Sequence, residues 1–248
     1  MNVDALDRIV AIRARLERDG KVRIGALAAD LGVSEMTIRR DLDLLADEGT
    51  ARRVRGGAVA IGPQEFTARS REHPRAKGTI GQKLLPLVPD HGAIALDASS
   101  TLQRLAARLG EARDLTVVTN GPETFAALQS HAGVTALLSG GQLDRRTGSL
   151  VGPLAVRAAG DLFVSRLFVS AAALDPELGS SEATLDDAEV KLAFAATAAE
   201  VVLAVDSSKL GSRAAARTFP LERVTLLVTE LDPEDMRLDP YRDRCSIL

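Results

Sequence analysis

Five arginines in one short span have the chemistry to hold a polyanion: Arg39, Arg40, Arg52, Arg53 and Arg55. Residues 50–60 carry three of them and no acid. A guanidinium bonds guanine edges or phosphate oxygens, so this cluster suits nucleic acid. A second set lies further along. Ser99, Ser100 and Thr101 offer hydroxyls and backbone N–H groups ahead of a helical pattern, and such a turn suits an anion. Lys209 adds a mobile cation, and Asp97 and Asn120 suit sugar hydroxyls. With Gly140-Gly141 these residues fit a small phosphorylated polyol. No catalytic or metal set accompanies them. His73, His91 and His131 are far apart and share no metal-ligand spacing. The single cysteine, Cys245, excludes an internal disulfide framework and a cysteine-clustered zinc site. No metal and no cofactor are expected.

The arginines need a scaffold, and the first sixty residues supply one. Leu6, Ile9, Val10 and Leu16 fall broadly on one helical face that ends at Asp19-Gly20; Asp4 and Asp7 precede or open it. Ile24, Leu27, Ala28 and Leu31 follow at helical spacing and end at Gly32. Ser34 is placed to N-cap a third helix, where Ile38, Leu42 and Leu45 share a face and Gly49 closes it. Helices two and three are joined only by Leu31-Gly32-Val33-Ser34, which is a helix-turn-helix with a preceding support helix. At about 100° per residue, Met36, Arg40 and Asp43 lie opposite Ile38, with Arg39 and Thr37 on the flanks. Residues 50–59 alternate arginine and apolar residues around Gly56-Gly57, which predicts a two-stranded hairpin, or wing. Residues 61–76, with two prolines and mixed charge, read as a linker.

The second set needs a different scaffold. From residue 77 to 248 short apolar runs alternate with helical patterns: 93–96, 115–118, 134–138, 167–169, 201–205 and 224–228, with helices near 100–109, 122–130 and 185–199. That alternation predicts an α/β domain with a mostly parallel sheet. Ligands in such sheets bind beyond the carboxyl ends of the strands, where Asp97, Asn120, Gly140-Gly141, Asp206 and Lys209 fall.

Composition frames both halves. The chain has 248 residues, 46% apolar and 26% charged, enough for a sizeable core and against wholesale disorder. It has no apolar run of spanning length and no secretory pattern at its start, so a cytoplasmic protein is expected. The net charge of -3 argues at first against nucleic acid. Residues 1–60, however, hold 11 Lys/Arg against 10 Asp/Glu, and the remainder 20 against 24. The acid belongs to the second half, and local charge is what phosphates meet.

Val33-Ser34-Glu35-Met36-Thr37-Ile38-Arg39-Arg40-Asp41-Leu42 resembles the signature of DeoR-type winged helix-turn-helix regulators, roughly V-S-x-x-T-I-R-R-D-L. Arg53-Val54-Arg55-Gly56-Gly57-Ala58 is similar to that family's R-x-H-G-G-A wing, with arginine for histidine at 55. The second half resembles the family's sensor domain, whose fold is related to phosphosugar isomerases. Lys77-Gly78-Thr79-Ile80-Gly81, Thr119-Asn120, Gly140-Gly141, Gly179-Ser180-Ser181-Glu182 and Asp206-Ser207-Ser208-Lys209 occupy its motif positions. Asp97-Ala98-Ser99-Ser100-Thr101 departs from D-x-G-T-T, so a Cβ at 99 narrows the turn where a phosphate would approach. Residues 165–170 depart further, and Glu230 replaces an aspartate. The likeness spans roughly residues 4–230.

The resemblance implies an N-terminal winged helix-turn-helix joined to a C-terminal α/β sensor domain. It implies a regulator, a repressor of a sugar-metabolism operon, that binds operator DNA and answers to a sugar phosphate. Ser34, Met36, Thr37, Arg39, Arg40, Arg52, Arg53 and Arg55 are expected at the DNA. Lys77, Asp97, Ser99, Ser100, Thr101, Asn120, Gly140, Gly141, Glu182, Asp206 and Lys209 are expected at the effector. Asp41 is expected to be structural, a carboxylate that orients the two neighbouring arginines rather than meeting a phosphate. One winged helix contacts few base pairs, so a homodimer or homotetramer is expected. The alternative is a phosphosugar isomerase or deaminase with a DNA-binding appendage. Isomerisation needs a positioned general base. The strand end where related isomerases carry acids reads Ser170-Ala171-Ala172-Ala173-Leu174 here, with Asp175 the nearest carboxylate, which disfavours catalysis. Glu182 and Asp206 remain as candidate acids.

Overall fold

The computed structural model describes residues 5–47, 50–60 and 65–248. Asp4, Gly49 and residues 61–64, which the sequence places before the first helix, at the end of the third and in the linker, lie outside them. Two compact units emerge, Met1–Arg71 and Glu72–Leu248.

In the first unit α1 is Ala5–Asp19, β1 Lys21–Arg23, α2 Ile24–Leu31, α3 Glu35–Asp47, β2 Ala51–Val54 and β3 Gly57–Ala60. The buried face of α1 is Arg8, Ile12 and Leu16, spaced by four, with Ile9 packed at its edge. Leu6 and Val10, expected on that face, are exposed. They are apolar but sit about 80–160° around the helix from Ile12 and Leu16, so the apolar pattern misled. Gly32 ends α2 with φ +64, the left-handed geometry that glycine adopts without strain. Ser34 starts α3 by accepting the Thr37 N–H at 3.1 Å. Ile38, Leu42 and Leu45 are fully buried against Ile12, Leu16, Ile24 and Leu27.

The wing has three strands rather than two, in the order β1-β3-β2, all antiparallel. β1 is too short to declare itself in the sequence. Its pairing explains the paired glycines. Gly56 turns the hairpin at φ +82. Gly57 faces Arg23 across the ladder, and a Cβ there would sit 1.9 Å from the Val22 carbonyl oxygen.

The expected linker at 61–76 is more structured than predicted. α4, Phe66–Arg71, ends the first unit, and α5, Pro74–Leu84, opens the second. Pro74 marks a helix start here, where its missing N–H and fixed φ cost nothing.

The second unit is built on a seven-stranded, wholly parallel sheet. Its strands are β4 Gly92–Leu96, β5 Leu115–Thr119, β6 Val134–Leu138, β9 Val164–Val169, β12 Ala198–Ala204, β14 Leu226–Val228 and β15 Ser246–Ile247. Their order is β15-β14-β12-β9-β4-β5-β6. Alternate residues of the central strands enter two cores. Ile94, Leu96, Val117 and Phe168 pack under α5 and α6, Ser100–Ala106. Ala95, Val118, Leu167 and Val169 pack under α8, Pro153–Gly160, and α9, Leu185–Thr197. The remaining elements are α7, Pro122–Leu128, the hairpin β7 Gln142–Asp144 with β8 Ser149–Val151, and a small antiparallel sheet of β10 Ala173–Asp175, β11 Gly179–Glu182 and β13 Ala216–Arg217. Those short strands and α8 went unpredicted. From β4 the chain builds outward to β5 and β6, then returns to place β9 on β4's other side and continues to β15. The strand order therefore reverses between β4 and β9, where open α/β sheets hold their ligands.

Candidate functional site

The arginines sit on α3 and the wing as their spacing requires. Met36, Arg39, Arg40 and Asp43 are exposed, Ser34 is exposed at the cap and Thr37 is half-buried. Thr37 also exchanges a hydroxyl bond with Ser34 at 2.9 Å, which fixes the entry of α3. Arg39 is held along the helix by Glu35 at 3.5 Å. Arg40, Arg52 and Arg55 are exposed and make no ion pair with any described residue. Arg53 differs: its Nη1 donates to Asp43 at 2.7 Å and to the Arg39 carbonyl at 2.9 Å. It braces the wing against the recognition helix, a use that its place in the cluster did not reveal. Asp41 is structural, as expected, but through a different partner. Its carboxylate accepts from Arg8 Nε at 2.6 Å and Nη2 at 3.0 Å, both side chains being buried. It fastens α3 to α1 rather than orienting Arg39 and Arg40. The reason is geometric: Asp41 is on the inner face of α3 with Ile38, Leu42 and Leu45.

In the second unit the switch point carries a buried polar cluster. Asp97, fully buried after β4, accepts the Ser99 N–H at 3.0 Å and, from the end of β9, the Ser170 N–H at 2.9 Å. Lys191 of α9 reaches Asp97 at 2.9 Å, Glu182 at 2.5 Å and the Ser170 carbonyl at 2.8 Å. Burial alone would lower the Lys191 pKa, but Asp97 and Glu182 outweigh it and raise it, so the ammonium stays charged. Burial raises the Glu182 pKa, although Lys191 pulls it back. Beside them Asp187 accepts from the hydroxyls of Ser149 at 2.6 Å and Thr184 at 2.9 Å, and Thr147 bonds Ser149 at 2.7 Å.

The expected effector residues gather only in part. Asp97, Ser99 and Glu182 belong to one bonded cluster through Lys191. Ser99 is spent on structure, since its hydroxyl accepts the Leu102 N–H at 3.1 Å. Ser100 and Thr101 are buried, and their hydroxyls have no hydrogen-bond partner among the described residues. Asn120 donates from Nδ2 to the Leu150 carbonyl at 3.1 Å, while its buried Oδ1 is unpartnered. Gly140 and Gly141 turn at φ +71 and +116, and a Cβ on Gly141 would sit 2.7 Å from the Val151 carbonyl. Asp206 caps its own turn through the Ser208 N–H and hydroxyl. Glu230 accepts from the Ser207 hydroxyl at 2.6 Å, joining the ends of β12 and β14. Lys209 is half-buried with no ion pair to a described residue. Lys77 is buried on α5. Asp175 is a turn residue, accepting from the N–H groups of Glu177 and Leu178 and from Arg213.

Lys191, Asp187 and Ser149 escaped sequence reading, whereas Ser170 was placed at a strand end. A signal for two of them existed: Asp187 and Lys191 are four apart on an otherwise apolar face of α9 with Ala188, Val190, Phe194 and Ala195. A separate hollow of about 220 Å³ opens at the opposite, amino-terminal edge of the sheet, where Arg166 pairs with Glu200.

Both units are similar in sequence to known proteins. Residues 8–64 match the DeoR-like helix-turn-helix domain and residues 72–231 the DeoR C terminal sensor domain. The chain is 30% identical over 219 residues to the HTH-type transcriptional regulator GolR of Listeria innocua, covering 87% of this chain and 86% of that one. It is 29% identical over 237 residues to the HTH-type transcriptional repressor GlcR of Bacillus subtilis, covering 94% and 91%. Ribose 5 phosphate isomerase A from Neisseria gonorrhoeae aligns at a TM-score of 0.36 and 17% identity, over 54% of this chain and 52% of that one, a likeness too distant to bear on activity.

Proposed function

This chain belongs to the DeoR family of transcriptional regulators, and from that premise we propose that it represses a sugar-metabolism operon under the control of a sugar phosphate. The observation that carries the reading is one chain holding both an exposed arginine surface on a capped helix and wing and a buried polar cluster at a sheet switch point. Met36, Arg39 and Arg40 read base edges in the major groove, with Ser34 and Thr37 setting the helix entry. Arg52 and Arg55 bind phosphates, and Arg53 holds the wing in register with α3. The effector sits beyond β4, β5 and β9, facing Ser100, Thr101, Asn120 and Glu182. Its different affinity for two states of the protein is what couples it to DNA. The active species is a homo-oligomer that pairs two half-sites, and it works in the cytoplasm, where operator DNA is.

The protein is not an enzyme in this reading. Asp175, nearest to the strand end where a base would be expected, is tied to Arg213 and to its own turn. Glu182 favours the alternative, since burial raises its pKa, as a general base requires. Turnover of ribose 5-phosphate by pure protein, abolished in Glu182→Gln, is the result that would favour an enzyme.

The direct test of the DNA surface is fluorescence anisotropy with a duplex from upstream of the gene. Arg40→Ala is expected to weaken binding by about 1–3 kcal/mol and relax sequence preference at one position. Arg52→Ala is expected to weaken all sequences alike and reduce the salt slope by about one. Unchanged affinity and preference in Arg40→Ala would remove α3 from the interface.

A further inference from the structure

The two outermost strands of the second unit's sheet differ. β15 is two residues long and follows Asp243 and Arg244, the short, charged kind of edge that resists pairing. β6, Val134–Leu138, is five residues long and carries neither a charge nor a proline. Its backbone phase is fixed from both ends. The Leu115 N–H donates to the Gly133 carbonyl at 3.1 Å, and the Ser139 N–H donates to the Thr119 carbonyl at 2.9 Å. Thr135 and Leu137 therefore turn their backbone groups to β5, while Val134, Ala136 and Leu138 turn theirs outward. Val134 spends its N–H on the His131 carbonyl at 3.1 Å. The N–H and carbonyl of Ala136, those of Leu138 and the Val134 carbonyl have no partner among the described residues. The side chains are bare as well. Leu137 and Leu138, on opposite faces of the sheet, are 37% and 38% exposed, although wholly parallel sheets are normally covered on both faces.

We propose that β6 is the surface at which a second copy of this chain adds its own β6, antiparallel, about a two-fold axis at Ala136. The open groups complement themselves in that register. Ala136 faces its copy, and each donates its N–H to the other's carbonyl. Leu138 donates to the carbonyl of the partner's Val134, and the reciprocal bond forms across the axis. Pairing ends where the Val134 N–H is already spent on His131. Leu137 then lies across from the partner's Thr135, and Leu138 across from the partner's Val134, which takes both leucines out of water. The strand has no charge, so no like charges meet at the seam. The inference rests on the reading that the active species is a homo-oligomer, and it names the edge that joins two copies.

Analytical ultracentrifugation of the full-length protein over about a hundredfold range of concentration tests this. Two variants accompany the wild type. Ala136→Pro removes an outward N–H at a position where an edge strand tolerates proline. Leu137→Lys supplies the charge that free edges carry, on a side chain that is already exposed. The wild-type protein is expected to form a dimer or tetramer, and each variant to halve that assembly or weaken it about tenfold or more. Hydrogen exchange at the Ala136 and Leu138 amides is expected to slow about tenfold or more as the wild type associates. Melting temperatures report whether the variants fold; should Ala136→Pro melt early, Leu137→Lys decides. An assembly of wild-type size and strength in folded Leu137→Lys overturns the β6 interface and leaves the homo-oligomer reading standing. Association that leaves exchange at Leu138 unchanged does the same. A wild-type protein that stays monomeric over the whole range overturns the homo-oligomer reading, and this inference with it.

Discussion

Replacing Arg8 with methionine would leave the Asp41 carboxylate buried without its cation. The two groups meet through bonds of 2.6 and 3.0 Å, with side chains 11% and 6% exposed. At about 3 Å and an effective dielectric near 20, the attraction is about 5 kcal/mol. Dehydrating both charges offsets most of it, so the intact pair adds little net stability. Removing one partner is different and costs about 3–5 kcal/mol. A domain typically has about 5–15 kcal/mol in total, so Arg8→Met should remove a large share of the first unit's stability. The double variant Arg8→Met/Asp41→Leu should recover to within about 1–2 kcal/mol of the wild type, because no lone charge remains. Urea unfolding of the full-length protein gives the energies, and hydrogen exchange at α1 and α3 amides assigns them to this unit. Operator binding should fall with Arg8→Met and return in the double variant. A loss below about 1 kcal/mol in Arg8→Met would refute the reasoning. So would a double variant no better than the single one. If Asp41 instead served to orient Arg39 and Arg40, Arg8→Met would leave DNA binding intact.

Four further outcomes are expected. Gly57→Ala, which drives a Cβ against the Val22 carbonyl, should cost about 1–3 kcal/mol or more and speed amide exchange in β1 and β3. Gly56→Ala should cost only its left-handed backbone, about 1–2 kcal/mol, and a reversal of that order would discard the close-approach explanation. Arg53→Ala should change stability by under about 1 kcal/mol, since its partner Asp43 is exposed, yet weaken operator binding by loosening the wing. A fall in salt slope like that of Arg52→Ala would make Arg53 a phosphate contact instead. Burial pushes the Cys245 thiol from 9.0 up to about 11. Its alkylation by iodoacetamide at pH 8 should therefore be about a hundredfold slower than that of a free cysteine. Folding holds this proton, so the contribution to stability is full below about pH 9 and lost as the pH climbs toward 11. Fast alkylation at pH 8 would contradict that burial.

What the sequence disclosed follows the length and regularity of each signal. The helix-turn-helix was legible because Ser34, Gly32 and the spacing of Ile38, Leu42 and Leu45 agree on one local geometry. The parallel sheet was legible because its strands are apolar runs at regular intervals. Strands of two to four residues, such as β1, β7 and β13, carry no period to detect. Partners distant in sequence were the other loss. Arg8 and Asp41 are 33 residues apart, and Lys191 and Asp97 meet only after the chain has crossed the sheet. Local reading therefore gave Asp41 to the adjacent arginines and missed Lys191. Ser99 and Asp97 were placed correctly at a strand end, but chain position could not tell that the fold itself uses their bonds.

The central claim is that one chain reads DNA with α3 and reports a sugar phosphate bound at the switch point of its second unit. Anisotropy titration of the full-length protein against a duplex from upstream of its own gene, with and without each sugar phosphate, tests it most directly. The expected result is preference for that duplex over a scrambled one, lost in Arg40→Ala, with an affinity shifted about fivefold or more by one sugar phosphate. Equal affinity for both duplexes, or an affinity that no sugar phosphate alters, would contradict it.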